Sequence, residues 1–227
     1  MKAGFISLGC AKNRVDTEVM LGMLTEQGFE IIQDASDAEL LVVNTCSFID
    51  TAKEESISTI LQMSEYKKIG KCRVMVVAGC LGQRYGDQLM SEIPEIDAIV
   101  GTNDWDKIKD VVNKAIKGIK TVAVDGKEKI YDGKTNRVIT TPEYSVYIKI
   151  AEGCDNCCSY CVIPALRGKF RSRTIDSIVE EAKRLVNCGA KEINLIAQDT
   201  TCYGKDLYGA PSLSCLLREL TKIENLK

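Results

Sequence analysis

The sequence contains no histidine, so the commonest acid–base catalyst and the commonest zinc ligand play no part in its chemistry. Long apolar runs are also missing, since none reaches the roughly 18 residues of a membrane span. The first ten residues lead into a strand pattern rather than a signal peptide. A net charge of −2 gives no general attraction to nucleic acid or to a membrane surface. These absences predict a cytoplasmic protein.

Cysteine is plentiful by comparison. The chain of 227 residues has 11 cysteines, a share of about 5% that lies below the 8 to 10% of short secreted disulfide scaffolds. In a reducing compartment, clustered cysteines indicate metal binding or redox chemistry. The length allows one large or two small domains, and a hydrophobic content of 45% is ample for a buried core.

Four cysteines fall within eight residues in the second half. Cys154, Cys158 and Cys161 have the spacing C-x3-C-x2-C, with Tyr160 before the last of them. Three thiolates on one short loop can bind three corners of a cubane iron-sulfur cluster and leave the fourth iron open for chemistry. Zinc is an alternative, because Cys157 completes two C-x2-C pairs, but zinc ribbons place roughly 15 to 20 residues between such pairs. Structural disulfides are another, and they require an oxidising compartment.

Three further cysteines follow apolar runs in the first half. The runs at 4–9, 40–45 and 74–79 lead to Cys10, Cys46 and Cys80, and a helix pattern follows each. Short apolar strands that alternate with helices predict a parallel sheet covered on both faces. The carboxyl ends of such strands share one edge, so we expect the three thiols to meet there as a second cluster site. The alternative is that each is a small buried residue at a strand end.

The other periodic segments complete the predicted order of elements. The expected features are a helix burying Val15, Val19, Met23 and Leu24 and ending at Gly28, a helical stretch 52–68 with Ile57, Ile60 and Leu61 as its apolar side, a strand at 96–101, a helix at 105–116, a strand at 144–151, a helix from the N-cap Thr174 to Gly189, a strand at 192–197 and a helix at 212–226. Cys188 and Cys215 lie on helix patterns and are expected to pack inside.

This order predicts an α/β fold in two parts. Residues 1–118 are expected to form a parallel-sheet, Rossmann-like domain, 119–142 a linker, and 143–227 the start of a TIM-type β/α barrel. Arg167, Lys169, Arg171 and Arg173 form a basic segment, which suits either an anionic group near the cysteines or a solvated loop. The polar residues 198–200 at a strand end either hold a polar cofactor or cap the next turn.

The cysteine loop with Tyr160 before its last cysteine resembles the radical S-adenosylmethionine (SAM) superfamily. The three earlier cysteines resemble the methylthiotransferase family within it, and the segments 7–16, 152–161, 167–173 and 197–201 carry the likeness. They resemble the branch that modifies an aspartate of a small-subunit ribosomal protein. Family members are longer, with a completed barrel and a C-terminal TRAM domain, so the chain is expected to be an N-terminal portion.

The resemblance implies cofactors, partners and site residues. It implies two 4Fe-4S clusters, on Cys154, Cys158 and Cys161 and on Cys10, Cys46 and Cys80, with SAM contacts expected at Tyr160, Arg171, Arg173 and Gln198. An electron from a flavodoxin- or ferredoxin-type donor would cleave SAM at one cluster. The resulting radical would take hydrogen from the aspartate β-carbon, and the other cluster would carry the sulfur. The implied partners are the ribosomal protein and the donor, with no membrane and with nucleic acid only indirectly.

Three other functions compete with this one. The branch of the family that modifies a transfer RNA adenosine is the first, and the acidic chain mildly disfavours RNA. The second is a non-catalytic iron-sulfur protein that carries electrons or stores sulfur. The third is an inactive fragment whose second half does not fold and exposes the apolar sides of Leu195 and Leu216.

Overall fold

The computed structural model of the chain describes residues 1–226. It separates into two units, one from Met1 to Lys127 and one from Glu128 onward. The sequence-based limits of 118 and 142 stay a prediction. Among the described residues, no helix is both long and apolar enough to cross a bilayer.

The first unit is built on a six-stranded parallel sheet with the order β2-β1-β3-β4-β5-β6. Its strands are β1 (Lys2–Ser7), β2 (Glu30–Ile32), β3 (Leu40–Thr45), β4 (Val74–Gly79), β5 (Ala98–Val100) and β6 (Thr121–Ala123). Every residue of β3 and β4 is buried, as expected for strands covered on both faces. The predicted parallel sheet is therefore confirmed. Strands β2 and β6 were missed, because neither contains an apolar run long enough to stand out.

Five helices cover this sheet: α1 (Ala11–Glu26), α2 (Asp50–Ser64), α3 (Tyr66–Ile69), α4 (Cys80–Glu92) and α5 (Ile108–Ile116). Helices α1 and α5 contact each other and the strands. On the other side, Ile60 of α2 and Leu81 and Leu89 of α4 share one apolar core with Val43 and Val77 of the strands. Successive side chains of a strand point to opposite faces of the sheet, so the apolar strands supply side chains to the helix layers on both faces.

Helix α1 ends as the sequence predicted. Its side chains Val15, Val19, Met23 and Leu24 are buried. Gly28 takes a positive φ of 84°, and the amide of Phe29 donates to the carbonyl of Leu24 at 3.1 Å. This is the left-handed termination that favours glycine after a helix.

The apolar side predicted for α2 is only partly correct. Ile60 is fully buried, whereas Ile57 and Leu61 are 40% and 49% exposed. The buried face instead contains Ser56, whose hydroxyl accepts from the amide of Cys46 at 3.0 Å and donates to its carbonyl at 2.9 Å. A serine satisfied by the backbone therefore holds a core position that the pattern assigned to apolar residues.

The second unit opens with a parallel strand–helix–strand arrangement. In chain order its elements are β7 (Ser145–Lys149), β8 (Ala151–Glu152), α6 (Ile163–Arg167), β9 (Arg171–Ser172), α7 (Ile175–Asn187), β10 (Glu192–Ile196), α8 (Lys205–Tyr208) and α9 (Leu213–Leu220). Strands β7 and β10 pair in parallel, with Ile148 beside Leu195, while β8 and β9 form a short antiparallel pair. The predicted opening of a β/α barrel is confirmed.

The ends of α7 agree with the sequence, and the end of α9 does not. The Thr174 hydroxyl accepts from the Ser177 amide at 3.3 Å, and Gly189 has a φ of 112°, so both predicted signals hold. Helix α9 stops at Leu220, six residues before the predicted end. The turn beyond it places Ile223 against the same core, which explains why the apolar pattern continues past the helix.

The second unit has an apolar core of its own. Leu216 of α9 is fully buried together with Ile148, Ile178 and Tyr203. The alternative in which the second half leaves the apolar side of Leu216 exposed is therefore wrong for this residue.

Candidate metal centres

The carboxyl ends of β1, β3 and β4 lie at one level. Ser7 pairs with Asn44, and Thr45 pairs with Gly79. Cys46 and Cys80 are the residues that follow Thr45 and Gly79. The strand order also reverses at β1, with β2 on one side and β3 on the other. In open α/β sheets, ligands bind outside the carboxyl ends of the strands at such a reversal.

Two glycines allow the cysteine loops to approach each other closely. Gly9 has a φ of 85°, and a Cβ placed on it would lie 2.7 Å from Cβ and 3.1 Å from Sγ of Cys46. Gly79 has a φ of 88°, and a Cβ there would lie 2.2 Å from Oδ1 of Asn44. Any side chain at either position would push the loops apart, so glycine is required directly before Cys10 and Cys80.

The buried side chain of Asn13 contacts all three loops. Its Nδ2 donates to the carbonyls of Leu8 at 3.2 Å and Thr45 at 2.8 Å. Its Oδ1 lies 3.9 Å from Sγ of Cys80. The three loops therefore converge as the sequence predicts.

The chemistry around these loops suits a bound anionic group. Cys10 immediately precedes α1, and Cys80 is the first residue of α4, where helix N-termini attract negative charge such as a thiolate-ligated cluster. The hydroxyl of Ser47, the residue after Cys46, is buried without a hydrogen-bond partner among the described residues, and it can donate to an anionic group. Cys46 and Cys80 are buried, whereas Cys10 is exposed. The alternative in which each cysteine is a small buried residue at a strand end therefore does not hold for Cys10.

The second cysteine group lies on the loop after β8. The Cys154 amide donates to the Gly168 carbonyl at 3.1 Å, and the Cys161 amide donates to the Cys158 carbonyl at 3.1 Å. Gly153, just before the loop, has a φ of 77°, and a Cβ on it would lie 2.0 Å from the Lys169 carbonyl oxygen. Cys154 and Cys161 are half-buried and Cys158 is exposed, so the loop is anchored at its base and open outward.

A buried charge network lies under this loop and was missed from the sequence. The Glu152 carboxylate accepts from Lys149 at 2.8 Å, Arg167 at 2.9 Å and Gln198 at 2.7 Å. Burial raises the pKa of Glu152, but the attraction of Arg167 and Lys149 outweighs it, so the pKa lies well below its usual range. A carboxylate that stays charged therefore joins the end of β7 to the end of β10.

Three of the four cations of the basic segment 167–173 are arginines held by neighbouring groups, whereas Lys169 is exposed. Arg167 and Arg173 are buried, and Arg173 pairs with Glu181 at 2.5 Å and donates to the Lys149 carbonyl at 3.0 Å. Arg171 donates to backbone carbonyls, among them that of Lys129 at 2.9 Å, and burial lowers its pKa. These positive charges are held within the unit, as buried cations require.

The four residues expected to contact SAM occupy different environments. Tyr160 is 86% exposed, while Arg171 and Arg173 make the contacts described above. Gln198 lies beside Glu152, and its Oε1 is buried without a partner among the described residues. Contact of any of the four with SAM stays a prediction.

A cavity of about 420 Å³ opens beside the cysteine loop, within the size range of small-ligand sites. It is lined by Cys154, Asp155, Asn156, Phe170, Asp199, Cys202, Lys205 and Asp206. Asp199 accepts from the amide and hydroxyl of Thr201 at 2.9 and 2.6 Å, and these bonds lower its pKa. It therefore caps a turn, which is one of the two roles weighed for 198–200. Lys205 and Asp206 belong to α8, whose four residues give no periodic signal.

The remaining cysteines differ from expectation. Cys188 and Cys215 are exposed, so their predicted packing role is wrong. Cys215 lies on the solvent side of helix α9, and Cys188 lies just beyond the end of α7, which the bare spacing did not resolve. Cys72 is buried, and burial raises its pKa. Within residues 1–226, no three Cys, Asp or Glu side chains lie at metal-ligand spacing, so the assignment of six ligands stays a prediction.

Both units match known families. Residues 2–101 match the model described as "Uncharacterized protein family UPF0004", and residues 148–224 match the Radical SAM superfamily. The chain is 51% identical over its whole length to "Ribosomal protein uS12 methylthiotransferase RimO" of Symbiobacterium thermophilum, and 52% identical to the protein of that name from Lachnoclostridium phytofermentans. It covers 47% and 52% of those proteins. The chain thus spans about half the length of the curated relatives it matches.

A solved structure shares the fold. The radical S-adenosylmethionine methyltransferase TsrM from Kitasatospora setae, with its tryptophan substrate and a SAM analogue bound, matches with a TM-score of 0.65 and 14% identity. The match covers 97% of this chain and 51% of TsrM. At this identity the likeness establishes the α/β fold alone.

Proposed function

Because the chain belongs to the radical SAM methylthiotransferase family, we propose that it supplies two iron-sulfur sites and a SAM site to an enzyme acting on a ribosomal protein. The names of the relatives indicate methylthiolation of ribosomal protein uS12. In this proposal the methylthio group is added to the β-carbon of an aspartate of that small-subunit protein, as the family resemblance implies. The cytoplasm, where ribosomes carry that substrate, is the proposed location.

One observation carries this proposal. The Glu152 carboxylate fixes the base of the cysteine loop and, through Gln198, the end of the neighbouring strand β10. A cavity of about 420 Å³ lies beside the same loop and includes Cys154 in its wall. Three thiols, a rigid charged base and a ligand-sized cavity are the parts needed to hold a cluster and a cofactor together.

The roles of the second unit's residues follow from this geometry. Cys154, Cys158 and Cys161 would hold a 4Fe-4S cluster, which when bound supplies an open iron for SAM and its reductive cleavage. Glu152 keeps the loop in place by accepting from the Gly153 amide at 3.3 Å. Gln198 offers the unpartnered buried Oε1 as an acceptor for a polar cofactor group.

The first unit would hold the second cluster. Cys10, Cys46 and Cys80 come from three loops at the strand-order reversal of the sheet. In the proposed reaction this site would carry the sulfur that is transferred, and a second molecule of SAM would supply the methyl group of that sulfur. A flavodoxin- or ferredoxin-type protein is the proposed electron donor for the cluster of the second unit.

The test is a single-turnover assay on the anaerobically reconstituted chain. The chain, SAM and dithionite are incubated with the small-subunit ribosomal protein, and the products are 5′-deoxyadenosine and a methylthio group on an aspartate, both measured by mass spectrometry. The matched control is Cys158→Ala, which removes one ligand from an exposed position and should abolish SAM cleavage.

Two outcomes would contradict the proposal. Modification of a transfer RNA adenosine, with the ribosomal protein untouched, would assign the chain to the other branch of the family. Bound clusters without any SAM cleavage would assign it to electron transfer or sulfur storage.

A further inference from the structure

Asn13 lies where the three cysteine loops of the first unit meet. It is fully buried, in the first turn of α1. Its Nδ2 donates to the carbonyls of Thr45 at 2.8 Å and Leu8 at 3.2 Å. Thr45 directly precedes Cys46, and Leu8 lies two residues before Cys10. One amide group therefore holds two of the three loops.

The same amide reaches the third loop. Its Nδ2 has two hydrogens, and the two carbonyls take both of them, so the orientation of the group is fixed. Its Oδ1 then faces Sγ of Cys80 at 3.9 Å. The main chain is fixed as well, because Nδ2 of Asn44 donates to the Asn13 carbonyl at 2.8 Å.

The Asn13 side chain also lies close to the first loop. A Cβ on Gly9 would lie 3.2 Å from Nδ2 of Asn13, so the first loop packs directly against the amide. The hydrogen bonds from Nδ2 of Asn13 do not cap helix α1, because they go to the carbonyls of Leu8 and Thr45, which lie outside the helix. The buried hydrogen bonds of Asn13 therefore serve the loops rather than the helix.

We propose that Asn13 is a positioning residue that sets the spacing of the Cys10, Cys46 and Cys80 thiols. It binds no iron itself in this proposal, and it acts by holding the backbone on either side of the ligands. The inference rests on the proposed function, because it presupposes a cluster on these three thiols.

The test isolates the first cluster in the full chain. The background carries Cys154→Ala, Cys158→Ala and Cys161→Ala, so that only the first unit can bind iron. Asn13→Asp is isosteric but removes both donors and adds a negative charge, and Asn13→Ala removes the donors without a charge. Thr17→Val is the matched control. Thr17 is buried in the same helix and accepts from Asn44 at 2.9 Å, but its hydroxyl donates to Ser7, not to a cysteine loop.

Iron, sulfide and the electron paramagnetic resonance spectrum of the reduced cluster are measured after anaerobic reconstitution. Circular dichroism and the urea unfolding midpoint of the metal-free proteins report folding. The background and Thr17→Val should bind about four irons per chain, the content of one cubane. Both Asn13 variants should bind less than a quarter of that amount while keeping their helical signal.

Each other result is decisive. A background that binds no iron contradicts the proposed function itself. If the background binds four irons, and Asn13→Asp also binds four with an unchanged electron paramagnetic resonance spectrum, the positioning role of Asn13 is overturned. The proposed function is not affected by that result. Loss of the helical signal in both Asn13 variants would make Asn13 a folding residue and would overturn the positioning role too.

Discussion

Nε2 of Gln198 donates a hydrogen bond of 2.7 Å to Oε1 of Glu152, although the two residues are 46 positions apart. The bond joins the ends of the parallel strands β7 and β10 directly below the cysteine loop. Because the other carboxylate oxygen of Glu152 accepts from Lys149 and Arg167, this one side chain organises the polar centre of the second unit.

Replacing Glu152 by Gln should destabilise the protein strongly. The change leaves the buried cations of Lys149 and Arg167 without their carboxylate, which typically costs about 3–5 kcal/mol. The measurement is urea unfolding of the reduced, metal-free chain. Glu180→Gln is the control, because Glu180 is 66% exposed and pairs with Arg184, so its loss should cost under about 1 kcal/mol. Equal losses in the two variants would contradict the role of Glu152.

Replacing Gly153 by Ala should abolish the cluster of the second unit. The new Cβ would lie 2.0 Å from the Lys169 carbonyl oxygen, so the cysteine loop must shift. Gly118→Ala is a close control, since Gly118 has the same φ of 77° and nothing within 4 Å of the added Cβ. Both variants carry the left-handed strain of about 1–3 kcal/mol, but only Gly153→Ala should lose about half of the bound iron. The same iron content in both would show that the close approach does not matter.

Acid should weaken the first unit through Asp37. Hydrogen bonds from Lys2 and from Lys71 lower the pKa of Asp37 to about 2, from an ordinary value near 4. A folded-state pKa below the unfolded one contributes stability above pH ~4, and that contribution is lost as the pH falls through ~2. The urea unfolding midpoint of the wild type should therefore fall between pH ~4 and pH ~2. In Asp37→Asn this fall should be smaller, and in Lys71→Gln its size should lie between those of the wild type and Asp37→Asn. An Asp37→Asn profile parallel to that of the wild type would contradict this.

Alkylation should distinguish the ligands from the other cysteines. Reduced chain is treated with iodoacetamide before and after cluster reconstitution, and each site is read by mass spectrometry. Cys157, Cys188 and Cys215 are exposed and should react in both states, whereas Cys158, also exposed, should become protected. Cys72 should resist throughout, because burial raises its pKa and thiolate is the reactive form. Protection of Cys157 with Cys158 still reactive would change the ligand assignment.

The sequence predicted the longer strands of the parallel pairings, but not β2 and β6, because only an apolar run of several residues leaves a local signal. The apolar runs of β3 and β4 and the cysteines that follow them are visible in a short window. The pairing of Glu152 with Arg167 and Lys149 leaves no periodic trace, because it depends on how loop and strand ends meet in space. Asn13 was missed for the same reason, since its partners are backbone carbonyls that every sequence contains.

The apolar side of α2 failed for a related reason. Ile57 and Leu61 satisfy a helical pattern, yet Ser56 occupies the buried face because it bonds to the backbone of Cys46. Local polarity cannot predict a serine whose hydrogen bonds are supplied by a distant loop. Cys188 and Cys215 show the converse, since cysteine is often buried, yet both are exposed, Cys188 just after α7 and Cys215 on α9.

The most direct test of the account is the iron and acid-labile sulfide content of the chain after anaerobic reconstitution. It is measured on the wild type and on two triple variants, one with Cys10, Cys46 and Cys80 changed to Ala and one with Cys154, Cys158 and Cys161 changed to Ala. We expect about eight irons and eight sulfides in the wild type and about four of each in either variant, the contents of two cubanes and of one. About one zinc without sulfide in the wild type would contradict it.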